Sequence, residues 1–138
     1  MLAKWHSLFS YPYMVARIIV RWGQDMLKII LHVNESSQWH RAINNINNLL
    51  KVAATIEIEL LVHDEAIEHL LKATLAQNTD ADVLQRLILQ GGCVAVCHNT
   101  MMKKGLVAGD LYDAAVVVPA GVYELALKQQ QGFAYIKP

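Results

Sequence analysis

The architecture can be inferred from one run of residues, Gly91-Gly92-Cys93-Val94-Ala95-Val96-Cys97-His98-Asn99-Thr100-Met101. The two glycines end one element, and the apolar, β-branched residues after them predict a buried strand. The segment from Asn99 to Gly105 opens with capping residues and closes with glycine, which predicts a short helix. Cys97 is therefore placed where a strand ends and a helix begins.

A thiol at such a position faces unpaired backbone N–H groups and the positive end of a helix dipole, and both favour the thiolate. Free cysteines also pack as small hydrophobic residues, so a purely structural role for Cys97 stays open. Cys93 lies four residues earlier, about 13 Å away along an extended strand, which is too far for a disulfide. Cys93 is therefore predicted to be a core residue.

Apolar strands alternate with amphipathic helices on both sides of this run. The predicted strands are 28–33, 55–62, 93–97, 114–118 and 133–137. The predicted helices are 39–53, 65–72 with Asp64 as its cap, 80–90, 99–105, and one that starts at Pro119-Ala120-Gly121 and turns Val122, Leu125 and Ala126 inward. Glu57 and Glu59 alternate with apolar residues, which predicts a less covered side of their strand. Strands that alternate with helices predict an α/β fold with a parallel sheet.

Ligands of parallel α/β sheets bind beyond the carboxyl ends of the strands. The candidate site consists of the residues at those ends, with Cys97 as the catalytic residue and these as binding residues: His32, Asn34, His63, His98, Asn99, Pro119 and Gly121. Three of the histidines could activate the thiol, since a Cys–His pair is the simplest way to do so. The alternative is that each histidine is a loop residue bonded to backbone.

Composition excludes several classes of function. The chain has 12 basic and 12 acidic residues, so its formal net charge is zero and nothing predicts binding of nucleic acid or an anionic membrane. Hydrophobic residues make up 54% of the chain, which predicts that other subunits cover part of the surface, unless helices on both faces of the sheet absorb them. The two cysteines indicate a reducing compartment, the cytoplasm. No zinc spacing or phosphate-binding loop occurs, so neither a metal nor a cofactor is predicted.

The chain divides into an N-terminal extension, residues 1–26, and a domain, residues 27–138. Arg17 and Arg21 interrupt the apolar stretch of the extension, so no membrane span is predicted. No small-residue cleavage pattern follows that stretch, so a signal peptide is not predicted either. Apolar residues at helical spacing between Met14 and Trp22 predict a short amphipathic helix. The alternative is an extension without a role in the core fold.

The domain resembles the DsrE/DsrF-like family of small intracellular sulfur-relay and related proteins. The most specific segments are Cys-x-Asn-Thr-Met at 97–101, Val-Pro-Ala-Gly-Val at 118–122 and Gly-Phe-Ala-Tyr-Ile-Lys-Pro at 132–138. The resemblance also includes residues 28–34 and Asn48-Leu49-Leu50. It implies a three-layer α/β/α sandwich with a mainly parallel five-stranded sheet, assembly into dimers, trimers or hexamers, and a cysteine, matched by Cys97, that carries sulfur as a persulfide.

We therefore expect a cytoplasmic homo-oligomer, a trimer or a multiple of it, that acts as a sulfur carrier between donor and acceptor proteins. Cys97 is expected to be a low-pKa thiol, with N–H donors from the helix that begins near Asn99 and with His98 or His32 as a cationic neighbour. The alternative is a non-catalytic oligomeric module that binds a small ligand beside Asn34, His63 and Gly121, with Cys97 merely packed.

Overall fold

A computed structural model describes residues 26–52 and 55–138 of the chain. The predicted amphipathic helix of the N-terminal extension lies outside the described residues. None of the described helices has the length and the apolar character that crossing a bilayer requires.

Five parallel strands form the central sheet. Their bounds are β1 Leu27–Val33, β2 Ile56–Val62, β3 Cys93–Cys97, β4 Val116–Val118 and β5 Ala134–Ile136. The strand order is β4-β3-β2-β1-β5, and every neighbouring pair is parallel. The predicted α/β fold with a five-stranded sheet is confirmed, and because all strands are parallel, their carboxyl ends lie at one edge of the sheet.

Helices cover both faces of this sheet. The α-helices are α1 Trp39–Val52, α2 Lys72–Leu75, α3 Asp80–Leu89, α4 His98–Lys104 and α5 Gly121–Gln130. Shorter 3-10 segments occupy Ser36–Gln38, Asp64–Leu70 and Ala108–Asp110. The connection from α3 to β3 is tight because Gly91 has a φ of 85° and a Cβ on Gly92 would lie 2.4 Å from the Leu87 side chain.

The larger hydrophobic core lies on the face that α1 and α3 cover. Ala42 and Ile46 of α1 and Leu87 of α3 are fully or almost fully buried there against the strands. The opposite face has a smaller core, in which Leu125 of α5 packs on a buried cluster that includes Phe133. These two cores on either side of one sheet make the three layers.

Helix α5 does not bury the residues that its apolar pattern predicts. Val122 is 75% exposed and Ala126 is exposed, whereas Glu124 is buried. The reason is Glu59 on the facing strand β2, which is only 3% exposed and lies 3.3 Å from Nζ of Lys128 on α5. The expected inward direction of Val122 and Ala126 is wrong. The expectation of a less covered side of β2 is wrong at Glu59, whereas Glu57 at the start of the strand is half-buried.

The segment after β2 also differs from the prediction. Residues 64–70 form a 3-10 helix instead of an α-helix capped by Asp64, and the helical turn α2 follows at residues 72–75, largely beyond the predicted helix end at residue 72. Asp64 has a φ of 51°, in the left-handed region, and its N–H donates to the Thr100 hydroxyl at 3.0 Å. This contact with α4 draws the start of the segment toward Cys97 and replaces the expected helix cap.

Candidate functional site

The candidate site lies at the carboxyl edge of the sheet, between β1, β2, β3 and the first turn of α5. Cys97 is the last residue of β3, and His32 lies near the end of β1. His63 follows β2 directly, and Gly121 is the first residue of α5. Strand ends therefore bring together three of the predicted site residues around Cys97, as expected for a parallel sheet.

Hydrogen bonds stabilise the thiolate form of Cys97. The thiol is 5% exposed, and the backbone N–H of Gly121 donates to its sulfur at 3.3 Å. Burial by itself raises the pKa of the Cys97 thiol. Hydrogen bonds from Thr100, through both its backbone and its hydroxyl, and from the backbone of Gly121 and Asn99 lower this pKa, and they outweigh burial. The pKa of Cys97 is therefore below that of an ordinary thiol.

Thr100 has a larger part in the site than the sequence suggested. Its hydroxyl oxygen accepts from the Asp64 N–H, so the hydroxyl hydrogen is available for the sulfur of Cys97. From the sequence, Thr100 is predicted only as a helix-capping residue, and this contact is not predicted. The sequence feature that could have predicted it is the position of Thr100, three residues after Cys97 in the first turn of a helix.

Gly121 keeps a small space open between Cys97 and His63. A Cβ at residue 121 would lie 3.7 Å from the Cys97 Cβ and 3.4 Å from Nδ1 of His63. Both side chains thus border the same point above the start of α5. The space is about the size of a methyl group, so a water molecule or one additional sulfur atom would fill it.

His32 and His63 form a hydrogen-bonded pair whose rings lie edge to edge and nearly coplanar. Their ring centroids are 4.7 Å apart with a 17° interplanar angle, and Nε2 of one ring is hydrogen-bonded to Nε2 of the other. Nδ1 of His32 is 2.7 Å from the hydroxyl of Tyr135. The three side chains therefore form a continuous row, which we call the Tyr135 row, from the exposed edge strand β5 to the space beside Cys97.

Both rings of the pair are neutral at neutral pH. Burial, followed by the repulsion that a protonated His63 and Lys137 exert on a second positive charge, lowers the pKa of His32 to about 4. Burial also lowers the pKa of His63, and Lys137 contributes in the same direction against Asp64. The expectation that His32 is a cationic neighbour of Cys97 is therefore wrong, because a ring with this pKa carries no charge at pH 7.

The remaining predicted residues lie at the rim. The side chains of His98 and Asn99 are exposed on the first turn of α4, and Asn99 contributes to the sulfur through its backbone. Asn34 is half-buried and its Oδ1 accepts from Nζ of Lys137 at 2.8 Å. Pro119 is exposed two residues before α5. None of these four side chains is recorded in a contact with the sulfur of Cys97.

Within the part of the chain that the structure describes, no three His, Cys, Asp or Glu side chains form a group that could hold a metal ion. Cys93 is at the other end of β3, beside Glu59, and its pKa is raised to about 11, first by burial and then by that carboxylate. Cys93 is a free thiol with the opposite electrostatics to Cys97. It takes no part in the site.

Comparisons with known proteins agree with this fold. The sequence model of the DsrE/DsrF-like family matches residues 27–138. The chain is similar to MTH1491, a protein of unknown function from Methanobacterium thermoautotrophicum, with a TM-score of 0.71, 24% identity, and coverage of 81% of this chain and 99% of that one. It is similar to the YchN protein of E. coli with a TM-score of 0.65, 15% identity, and coverage of 83% and 100%. Among curated proteins, no significant match is found.

Proposed function

The chain belongs to the DsrE/DsrF-like family, and from this premise we propose that Cys97 accepts a sulfane sulfur and passes it on as a persulfide. The observation that carries the proposal is the hydrogen bond from the Gly121 N–H to the Cys97 sulfur, at 3.3 Å. A backbone donor aimed at a buried sulfur stabilises an anion there, and the thiolate is the form that attacks sulfur–sulfur bonds.

The transfer consists of two balanced displacements. In loading, the Cys97 thiolate attacks the outer sulfur of a donor persulfide, a new S–S bond forms, and the donor leaves as its thiolate. In unloading, an acceptor thiolate attacks the outer sulfur on Cys97, and the Cys97 thiolate is the leaving group. A leaving thiolate of low pKa departs faster, so the same hydrogen bonds favour both steps.

The space above Gly121 supports the proposal sterically. The outer sulfur of a Cys97 persulfide needs room beside Sγ, and the missing side chain of Gly121 leaves room bordered by His63. A larger residue at 121 would occupy this room. The proposal further includes a donor and an acceptor that are protein thiols, a homo-oligomeric carrier, and a location in the cytoplasm, where free cysteines remain reduced.

Mass spectrometry of the intact protein tests the proposal. The reduced protein is incubated with glutathione persulfide, separated from it, and weighed under non-reducing conditions. We expect a mass gain of one sulfur atom in the wild type and in Cys93→Ser, and no gain in Cys97→Ser. Uptake that persists in Cys97→Ser, or no uptake in any of the three proteins, would refute persulfide transfer at Cys97.

One observation favours the alternative, a small-ligand-binding module. A cleft of about 280 Å³ lies beside β4, lined by residues that include Val96, Leu111, Tyr112 and Val117. It is on the opposite face of the sheet from Cys97, and not beside Asn34, His63 and Gly121 as the sequence predicts for such a module. Native mass spectrometry of the gently purified protein would detect a bound small molecule, and Cys97→Ser should retain it if this alternative is right.

A further inference from the structure

The Tyr135 row connects the buried Cys97 with the protein surface. Cys97 is 5% exposed, whereas Tyr135 at the other end of the row is 42% exposed. The hydrogen bonds run from the Tyr135 hydroxyl to Nδ1 of His32, and from Nε2 of His32 to Nε2 of His63. Nδ1 of His63 then borders the space above Gly121. All four ring nitrogens of the two histidines therefore belong to one chain of contacts between Tyr135 and this space.

The contact between the two Nε2 atoms restricts the rings to two arrangements. Both rings are neutral, so each has one N–H, and a hydrogen bond between the Nε2 atoms needs a donor on one side and an acceptor on the other. In the donor form, His32 has Nε2–H, His63 has Nδ1–H, and Tyr135 donates to His32. In the acceptor form, His63 has Nε2–H, His32 has Nδ1–H and donates to Tyr135, and Nδ1 of His63 is bare.

We propose that Tyr135, His32 and His63 form a proton relay that presents an N–H to the space beside the Cys97 sulfur when that sulfur is an anion, and a bare nitrogen when it is protonated. The two outer members act as positioning residues, because they reach the sulfur only through His63. The functional role of the relay depends on the proposed sulfur transfer. Its two forms exist, and can be measured, without any sulfur donor.

When Cys97 is deprotonated, each member of the row accepts one proton and gives up another. The proton of the thiol passes to Nδ1 of His63 through a water molecule in the space above Gly121, which gives up one proton as it takes another. The Nε2 proton of His63 then passes to Nε2 of His32. The Nδ1 proton of His32 passes to the oxygen of Tyr135, whose own hydroxyl proton leaves to solvent water. The rings and the phenol are neutral before and after, the acceptor form has become the donor form, and the sulfur is a thiolate.

Charged groups around the row favour the donor form. Oδ2 of Asp64 lies 3.6 Å from Nδ1 of His63 and attracts a hydrogen at that nitrogen. Lys137, which follows β5, disfavours a positive charge on either ring. Asp64 thus favours a hydrogen on Nδ1 of His63, and Lys137 favours neutral rings, so the row is stabilised as a neutral chain whose inner N–H borders the space beside the sulfur.

Nitrogen NMR of the full chain with labelled imidazoles tests the relay, since ¹⁵N shifts distinguish a protonated from a bare ring nitrogen. Spectra are recorded from neutral pH upward through the titration of Cys97, with signals assigned from His32→Gln and His63→Gln. We expect opposite tautomers in the two rings, and a shift of both toward the donor form in the pH step in which Cys97 ionises. Cys97→Ser should show no such step, because its hydroxyl stays protonated.

Tyrosine variants supply a second measurement. Tyr135→Phe removes the hydroxyl that donates to His32 in the donor form, so alkylation of Cys97 by iodoacetamide at neutral pH should slow roughly threefold to tenfold, the worth of one hydrogen bond. Tyr123→Phe is the matched control, because Tyr123 is an exposed tyrosine on α5. Its alkylation rate should equal that of the wild type. Circular dichroism and the thermal midpoint verify that both variants fold.

The relay is refuted by equal tautomers in the two rings, by a charged ring at neutral pH, by tautomers that ignore the ionisation of Cys97, or by equal alkylation rates of the two tyrosine variants. These results do not depend on sulfur uptake. A protein that shows the linked tautomers but gains no sulfur from a persulfide retains the relay and loses the proposed function. A protein that gains sulfur with unlinked tautomers retains the function and loses the relay.

Discussion

Cys93 and Glu59 face each other across β3 and β2, whereas Cys97 ends the same strand among hydrogen-bond donors. One strand thus holds two thiols in opposite electrostatic environments. Burial and the Glu59 carboxylate raise the pKa of Cys93 to about 11, while hydrogen bonds, acting against burial, lower that of Cys97. The difference between the two environments predicts which thiol reacts.

Alkylation at neutral pH should label Cys97 and leave Cys93 unmodified. A thiol with a pKa of about 11 has almost no thiolate at pH 7, and the thiolate is the reactive form. Limited treatment with iodoacetamide followed by peptide mass mapping measures the two sites in one sample. Cys97→Ser should become almost unreactive and Cys93→Ser should react like the wild type. Preferential labelling of Cys93 would contradict the assignment of Cys97 as the functional thiol.

Gly121→Ala should separate sulfur loading from thiol acidity. The added methyl group would make ordinary contacts, 3.4 Å from the His63 ring and 3.7 Å from the Cys97 Cβ, and the N–H of residue 121 would still donate. The pH profile of alkylation should therefore stay the same. Sulfur loading should slow about tenfold or more, because the methyl group occupies the space that the outer sulfur needs. Placing both groups there would cost about 1–3 kcal/mol, the usual cost of overpacking.

The matched control for this variant is Gly109→Ala. A Cβ at residue 109 would have no neighbour within 4 Å among the described residues, so loading should be unchanged. Loading rates come from the mass gain with glutathione persulfide over time. If Gly121→Ala loads sulfur as fast as Gly109→Ala, the persulfide does not use the space above Gly121.

Glu59 should make the protein less stable as the pH rises through neutrality. Burial, with Glu124 as the next contribution, raises the pKa of this carboxyl from 4.5 to about 7, against the effect of Lys128. A raised pKa in the folded state means that the stabilisation is complete below about pH 4.5 and is lost as the pH approaches 7 and passes it. The free energy of unfolding should fall by about 3 kcal/mol across this range because of Glu59.

Urea unfolding at a series of pH values measures this effect as a difference between variants. Glu59→Gln cannot titrate and should flatten the decline, whereas Glu57→Gln, on the same strand but less buried, should retain it. The orphaned Oε1 of Glu59, which has no hydrogen-bond partner among the described residues, indicates that a neutral group fits this position. If the free energies of unfolding of Glu59→Gln and the wild type declined in parallel with pH, the raised pKa of Glu59 would be contradicted.

Strand-end reasoning from the sequence located most of the candidate site. Parallel strands end at one edge, so the positions of His63, Gly121 and Cys97 in the sequence are enough to group them. Tyr135 and Lys137 could not, since they reach the site only because β5 pairs with β1. The order of strands in a sheet depends on long-range packing, which the local pattern of residues does not contain.

The same limit explains the errors on the second face of the sheet. An apolar side chain at helical spacing predicts an inward direction, and Val122 fits that pattern. The structure instead places Glu124 and Lys128 inward, because the facing strand has Glu59 and a buried carboxyl needs partners. The residues that a helix buries depend on how it packs against the sheet. The burial of Glu59 and the exposure of Val122 therefore could not be predicted from either segment alone.

Thr100→Val should raise the pKa of Cys97 and reduce its reactivity. The hydroxyl of Thr100 donates to the Cys97 sulfur and accepts from the Asp64 N–H at 3.0 Å, and valine has the same shape without either function. The loss of one hydrogen bond to an anion costs about 1.5–3 kcal/mol, so alkylation at neutral pH should slow at least about tenfold. The unpaired N–H of Asp64 should also lower the free energy of unfolding by about 1–3 kcal/mol.

Thr100→Ser separates the hydroxyl from the methyl group of this residue. Serine keeps both hydrogen bonds, so the midpoint of the alkylation pH profile should remain near that of the wild type. Only a small loss of stability is expected, from the missing methyl group of a side chain that is 4% exposed. If the valine and serine variants share one pH profile, the hydroxyl does not stabilise the thiolate, and the low pKa of Cys97 must depend on the N–H groups of Gly121, Asn99 and residue 100 alone.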